Sequence, residues 1–146
     1  MTELGHVVLY VRELDRSLKF YCDVVGLTVV GRLFGGRAVA LTGGRNHHEL
    51  LLIQVGEAPG PLIGRRVGLY HIGWKVGETL EDLRAAKQRA AEQSFPIEGM
   101  ADHSISYSLY LRDPDANEIE LYVDNPAFDW KSDQSWLQEA VKPLGL

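Results

Sequence analysis

Cys22 is the only cysteine in this sequence, and no stretch of the chain reads as a membrane or export signal. A lone cysteine excludes a disulfide within the chain. No apolar run reaches the ~20 residues that cross a bilayer, and the first residues lack the basic and apolar regions of a signal peptide. We therefore expect a soluble, cytoplasmic protein with no membrane partner.

Clusters of basic side chains are also missing. The chain has 15 Lys and Arg against 20 Asp and Glu, which gives a formal net charge of -5, and the basic residues are scattered. Binding to nucleic acid requires several basic side chains close together to neutralise phosphates, so we expect no nucleic-acid partner. The composition is that of a globular protein, and 146 residues can bury a core within one domain.

What the sequence does contain is one pattern that occurs twice. In the first half, a strand at 6–11 precedes a helix whose apolar residues recur at helical spacing up to Gly26, a residue type that commonly ends helices. Three further strands are predicted near 27–30, 37–41 and 48–53. This order of elements is β-α-β-β-β.

The second half repeats that order after a connector rich in glycine and proline. A strand at 71–76 precedes a helix that begins with Thr79 and Asp82, spaced as in a capping box, and we expect three more strands near 97–98, 107–111 and 119–123. The sequence therefore predicts an α+β fold made of two βαβββ modules. We place the modules at about 4–56 and 68–124 of a single domain, 1–146, with a C-terminal tail at 125–146.

His6 and His71 stand at corresponding places at the start of the two modules, and Glu120 lies in the last strand of the second. Because side chains alternate across a strand, His6, His71 and Glu120 lie on the faces opposite the apolar residues of their strands. Two imidazoles and one carboxylate form a metal-binding triad that suits Fe(II) and leaves coordination positions open. A single strand histidine is more often structural, but the matched positions favour the metal site; Glu118 shares the face of Glu120 and competes with it.

Several of these segments together resemble the vicinal oxygen chelate superfamily. Its first-module signature is similar to residues 5–27, and its closing signature is similar to 113–121. The superfamily includes glyoxalase I, extradiol ring-cleaving dioxygenases, fosfomycin-resistance enzymes and bleomycin-binding proteins. The resemblance implies curved sheets that form a half-open barrel around a divalent metal bound by His6, His71 and Glu120.

Other segments resemble the extradiol dioxygenase branch. The segment 46–52 is similar to the one in which a histidine, here His48, stands over the iron as an acid–base residue. The segment 102–110 is similar to the one that supplies a second active-site histidine, His103, and a tyrosine, Tyr110. This branch implies an Fe(II)-dependent dioxygenase that cleaves a catecholic ring with O2. The same ligands would also accept Mn, Ni, Co or Zn, and the superfamily makes a homodimer plausible.

Two other functions stay open. A glyoxalase I-like lyase or isomerase would need a fourth metal ligand, which Glu49 could supply. In a regular strand His48 and Glu49 point to opposite faces, so only one of them can reach the metal. The third possibility is a non-catalytic drug-binding protein without metal. One departure from the family signature is Ala116, which stands where relatives usually have glycine and would need a backbone conformation tolerable to alanine.

Overall fold

The protein, described here by a computed structural model that covers residues 1–146, consists of two compact units. The first unit comprises Met1–Leu62 together with Pro114–Ala116, and the second comprises Ile63–Asp113 together with Asn117–Leu146. No helix in either unit is long and apolar enough to span a bilayer.

The first unit contains a four-stranded sheet and one helix. Its elements are β1 (Val7–Val11), α1 (Leu14–Phe20), a π-helical turn (Tyr21–Val25), β2 (Thr28–Leu33), a short 3-10 turn (Phe34–Gly36), β3 (Ala38–Thr42) and β4 (Leu50–Gln54). The strand order is β1-β4-β3-β2, with β1 and β4 parallel and the other pairs antiparallel. Gly26 ends the helical segment with a φ of 98°, a conformation that favours glycine, as the sequence predicts.

The second unit repeats this topology and adds one short strand. Its elements are β5 (His71–Lys75), α2 (Leu80–Glu92), β6 (Gly99–Asp102), β7 (Ser106–Arg112), β8 (Glu118–Asp124), a 3-10 turn (Ser135–Gln138) and β9 (Lys142–Pro143). The strand order is β5-β8-β7-β6-β9, with β5 and β8 parallel. The predicted capping box begins α2, since Thr79 accepts a hydrogen bond from the backbone N–H of Asp82 and the carboxylate of Asp82 accepts one from the N–H of Thr79.

The second unit buries the apolar face of β8 under its own helix. In β8, Ile119, Leu121 and Val123 are fully buried while the residues between them are partly exposed. Leu83, Ala86 and Ala90 of α2 are also fully buried, and this helix packs against β7 and β8. Covering one sheet face with a helix leaves the polar side chains of the same strands on the opposite face.

The turn between β7 and β8 has the unusual backbone that the sequence indicates. Ala116 adopts a φ of 71°, in the left-handed region. The turn is fixed on both sides: Asp113 accepts a hydrogen bond from the N–H of Asn117 at 2.9 Å, and Asp115 forms a 3.1 Å ion pair with Arg12. Residues Pro114–Ala116, which include the Asp115 partner of Arg12, belong to the first unit.

The mixed α+β class and the repeated βαβββ order are confirmed, and three details of the prediction are wrong. Strand β6 begins at Gly99 and not at residue 97. Strand β4 begins at Leu50, so His48 and Glu49 precede it. Strand β9 was not expected, because its antiparallel pairing with β6 joins residues about 40 positions apart and has no local signal. The extent of the domain and its modules, 1–146, stays a prediction.

Candidate active site

In the second unit His71 lies between two glutamates. Strands β5 and β8 pair in parallel with His71 opposite Glu118 and Gly73 opposite Glu120. Nδ1 of His71 is 3.1 Å from Oε2 of Glu118, and Nε2 is 3.1 Å from Oε2 of Glu120. The two carboxylates reach one imidazole because residues two apart share a strand face.

The other oxygen of Glu120 is held by hydroxyl groups from the neighbouring strand. Ser108 and Tyr110 of β7 both donate to Oε1 of Glu120, at 2.5 Å and 3.2 Å. Burial, the negative charge of Glu120 and the hydrogen bond to it raise the pKa of Tyr110 to about 12. Tyr110 therefore keeps its proton at neutral pH, and Oε2 of Glu120 faces His71 with its lone pairs available for a cation.

His103 extends this network from the turn after β6. Its Nε2 lies 2.7 Å from the hydroxyl oxygen of Tyr110, and an N–H at this nitrogen can donate a hydrogen bond there because Tyr110 directs its own proton to Glu120. The turn is fixed by Ser104, whose N–H donates to Asp102 and whose carbonyl accepts from Asn125, both at 2.8 Å. The structure thus joins His103, Tyr110 and Glu120 by hydrogen bonds and places Nε2 of His71 3.1 Å from Oε2 of Glu120.

In the first unit three histidines stack at the end of β1. The ring centroids of His6 and His48 are 4.6 Å apart, and those of His47 and His48 are 4.5 Å apart. Asn46 fixes this arrangement, since its side chain accepts from the N–H of His48 at 2.8 Å and donates to the carbonyl of Gly5 at 3.0 Å. Desolvation and the proximity of His47 and His6 lower the pKa of His48, which favours its neutral form.

The carboxylate of Glu49, the residue beside His48, is hydrogen-bonded within a turn. Its carboxylate accepts hydrogen bonds from the N–H of Gly43 at 2.8 Å, the hydroxyl of Thr42 at 2.9 Å and the N–H of Arg45 at 3.1 Å. Burial opposes its ionisation, but these hydrogen bonds prevail and lower the pKa of Glu49. Both of its oxygens are therefore occupied by the turn at 42–45.

The donor set of the second unit fits a divalent metal ion. Two ligand atoms at right angles and ~2.1 Å from one ion are ~3 Å apart, and Nε2 of His71 and Oε2 of Glu120 are 3.1 Å apart. Imidazole and carboxylate together suit a first-row divalent ion. Within either unit, no three His, Cys, Asp or Glu side chains are grouped to hold a metal. His6 belongs to the first unit, and the triad of His6, His71 and Glu120 stays a prediction.

The comparison with known families decides the classification. The profile of the Glyoxalase/Bleomycin resistance protein/Dioxygenase superfamily matches residues 3–121, which is most of the chain. The chain belongs to this superfamily. Among characterised members, Catechol-2,3-dioxygenase of Bacillus subtilis (strain 168) is 37% identical over 134 residues, covering 91% of this chain and 45% of that protein.

Two further members of the superfamily show the range of its reactions. Biphenyl-2,3-diol 1,2-dioxygenase 2 of Rhodococcus globerulus is 28% identical over 127 residues, covering 84% of this chain and 63% of that protein. The crystal structure of lactoylglutathione lyase from Agrobacterium tumefaciens superposes with a TM-score of 0.61 at 28% identity, covering 84% of this chain and 94% of that one. The chain thus spans between about half and two thirds of the two dioxygenases.

Sequence reasoning missed Ser108, and it treated Glu118 only as a competitor of Glu120. Ser108 is fully buried and shares a face of β7 with Tyr110, so its place two residues before Tyr110 in the predicted strand was the available signal. The contact of Glu118 with His71 depends on the register of β5 against β8, for which the sequence carries no such signal.

Proposed function

We propose that this protein is an Fe(II)-dependent extradiol-type dioxygenase that cleaves a small catecholic ring with O2. His6, His71 and Glu120 would hold the metal, and His48, His103 and Tyr110 would act on the substrate. The observation that carries the proposal is the contrast between two neighbours: the ring of His48 lies against that of His6, while the carboxylate of Glu49 is bound within a turn.

That contrast favours a dioxygenase over a glyoxalase-type lyase. A dioxygenase needs an acid–base histidine beside the metal ligands, and His48 lies next to the proposed ligand His6. A glyoxalase-type lyase needs a carboxylate as fourth ligand and base, and Glu49 would have to leave three hydrogen bonds to serve as one. Releasing a carboxylate from such bonds costs several kcal/mol, at about 1.5–3 kcal/mol for each.

The similarity to known proteins supports the same choice. Two of the relatives are named as dioxygenases of catechol and of biphenyl-2,3-diol, substrates with two adjacent hydroxyl groups on one ring. A catecholic substrate is the common chemical feature of those names, and we extend it to this chain. A homodimer is part of the proposal as well.

Within this proposal each side chain has a separate task. Bound Fe(II) would supply a Lewis acid that holds the two substrate oxygens next to O2. His48, held neutral by its surroundings, would accept and return the proton of the substrate hydroxyl. Tyr110, which keeps its proton, would turn its O–H from Glu120 to the substrate, and His103 would orient that hydroxyl. Both atoms of O2 would enter the product, so no separate reductant is required.

A glyoxalase I-like activity is the second candidate, and one observation favours it. The lactoylglutathione lyase structure is matched over 94% of its length, whereas only 45% of the Bacillus catechol dioxygenase is matched. The matched region therefore includes nearly the whole of one lyase structure and less than half of one dioxygenase.

The deciding experiment measures both reactions on one preparation. The protein is loaded with Fe(II) under anaerobic conditions and mixed with O2 and a panel of substituted catechols, and oxygen uptake is recorded. Isomerisation of a hemithioacetal is assayed in parallel with Fe(II), Ni(II) and Zn(II). We expect oxygen uptake together with the yellow absorbance of a ring-cleaved product, and no isomerisation.

Variants at the two neighbouring positions make the result specific. H48Q should lower oxygen uptake by about 10²- to 10⁴-fold, the range for loss of a general acid or base. E49Q removes a carboxylate one residue away and should retain uptake per folded molecule. Isomerisation without oxygen uptake, abolished by E49Q, would establish the lyase instead.

A further inference from the structure

Glu118 contacts Nδ1 of His71, the ring nitrogen that the proposed metal does not use. Its Oε2 lies 3.1 Å from Nδ1 of His71, and its side chain is only 14% exposed. Its other oxygen, Oε1, is 3.5 Å from the guanidinium of Arg112. A carboxylate shielded in this way is held in place by its ion pair and is not a freely moving surface group.

An imidazole that binds a metal through one nitrogen needs a partner for the other. The nitrogen that faces the metal must lack a proton, so the second nitrogen carries N–H and requires an acceptor. With Nδ1–H directed to Glu118, the lone pair of Nε2 faces Oε2 of Glu120, 3.1 Å away. The two contacts fix the rotation of the ring, and a metal on Nε2 would leave the N–H on Nδ1, directed to Glu118.

We propose that Glu118 is a positioning residue that holds His71 in the tautomer and orientation required to bind the metal. This inference rests on the proposed function, because it concerns the same metal site. It gives Glu118 a task different from that of Glu120: Glu120 contributes an oxygen to the ion, whereas Glu118 acts through the ring of His71. Loss of such a partner typically lowers metal affinity about 10- to 100-fold.

The chain offers a matched control in Glu98. Glu98 also forms an ion pair with Arg112, at 3.0 Å, but the structure gives it no contact with His71. Replacing either glutamate removes one negative charge and one partner of Arg112. A loss of affinity confined to the Glu118 variants therefore reports the place of Glu118 beside His71.

The experiment measures Co(II) affinity of the full chain by competition with a chromophoric chelator, together with the visible absorption spectrum of bound Co(II). We expect E118A to bind Co(II) about 10- to 100-fold more weakly than the original chain and to show shifted absorption bands. E118Q keeps an acceptor for Nδ1–H but lacks the charge, so its loss should be smaller. E98A and E98Q should bind within about twofold of the original chain.

The outcomes separate this inference from the proposed function. If E118A does not fold, as judged by circular dichroism, the comparison of E118Q with E98Q decides. Equal Co(II) affinities and spectra for the Glu118 and Glu98 variants would overturn the positioning role and leave the metal site intact. If the original chain binds no Co(II), or H71A binds it equally well, the metal site and the positioning role fail together.

Discussion

A Cβ atom placed on Gly73 would lie 3.3 Å from Oε2 of Glu120. The two residues are opposite each other in the parallel pairing of β5 with β8. Such a contact is tighter than ordinary van der Waals distance, and the ring of Tyr122 would lie 3.5 Å away on another side. The absence of a side chain at position 73 therefore leaves room for the Glu120 carboxylate beside His71, a use of glycine that is typical where a ligand approaches a strand.

The first prediction concerns this space. G73A should move the Glu120 carboxylate by a few tenths of an ångström and weaken Co(II) binding by up to about 10-fold, the lower end of the range for changes next to metal ligands. The measurement is chelator competition. G31A is the control, because a Cβ on Gly31 meets no atom within 4 Å. Unchanged affinity in G73A would mean that the carboxylate needs no such clearance.

The second prediction concerns Glu49 and pH. The pKa of Glu49 is lowered in the folded protein from its ordinary value of 4.5. The ionised side chain therefore stabilises the fold fully above pH 4.5, and this contribution disappears as the pH falls through the lowered pKa. E49Q should be less stable than the original chain by about 1–3 kcal/mol at pH 7, and the difference should shrink steadily below pH 4.5.

Urea denaturation at several pH values checks this sign. The exposed Glu57 provides the control, because E57Q makes the same change of charge away from the turn at 42–45. A stability gap between E49Q and the original chain that stays constant down to the acid limit of folding would contradict the role of the ionised carboxylate.

The third prediction concerns the strained turn. A non-glycine residue in the left-handed region costs about 1–2 kcal/mol, and Ala116 has a φ of 71°. A116G should therefore raise the free energy of unfolding by about 0.5–1 kcal/mol, after allowance for the greater freedom of glycine in the unfolded chain. Thermal denaturation of A116G and the original chain measures this difference in stability.

The same change from alanine to glycine should lower stability when it is made inside a helix. Ala85 is exposed in the middle of α2, where glycine costs about 1 kcal/mol relative to alanine. A85G should lower stability by that amount. Destabilisation in both variants would show that the turn at 114–116 is not strained by Ala116.

The fourth prediction concerns the capping box of α2. The hydroxyl of Thr79 accepts from the N–H of Asp82 at 3.2 Å and donates to its carboxylate at 2.9 Å. T79A removes both hydrogen bonds and should cost about 1 kcal/mol in urea denaturation. T79S keeps a hydroxyl at the same place and should retain most of the stability; equal losses in the two variants would point to the methyl group of Thr79 instead.

Local signals in the sequence determined most of the fold. Apolar spacing predicted α1 and α2, Gly26 and the pair Thr79 and Asp82 marked a helix end and a helix start, and alternation identified the buried face of β8. These features could be predicted because their causes lie within a few residues of one another. The match of the two halves then followed from the repeated order of elements.

The fine arrangement of the candidate site required tertiary structure. His48 and Glu49 are neighbours in sequence, and only the turn at 42–45, which takes up the carboxylate of Glu49, gives them different surroundings. Likewise Glu118 and Glu120 occupy the same face of β8, and the register of β8 against β5 decides which ring nitrogen of His71 each one meets. The sequence by itself determined the residue types, the strand faces and the family. The contacts between polar groups were decided by the pairing of strands that are distant in sequence. Hydrogen bonds depend on atomic positions to within a few tenths of an ångström, and no local pattern in the sequence encodes such positions.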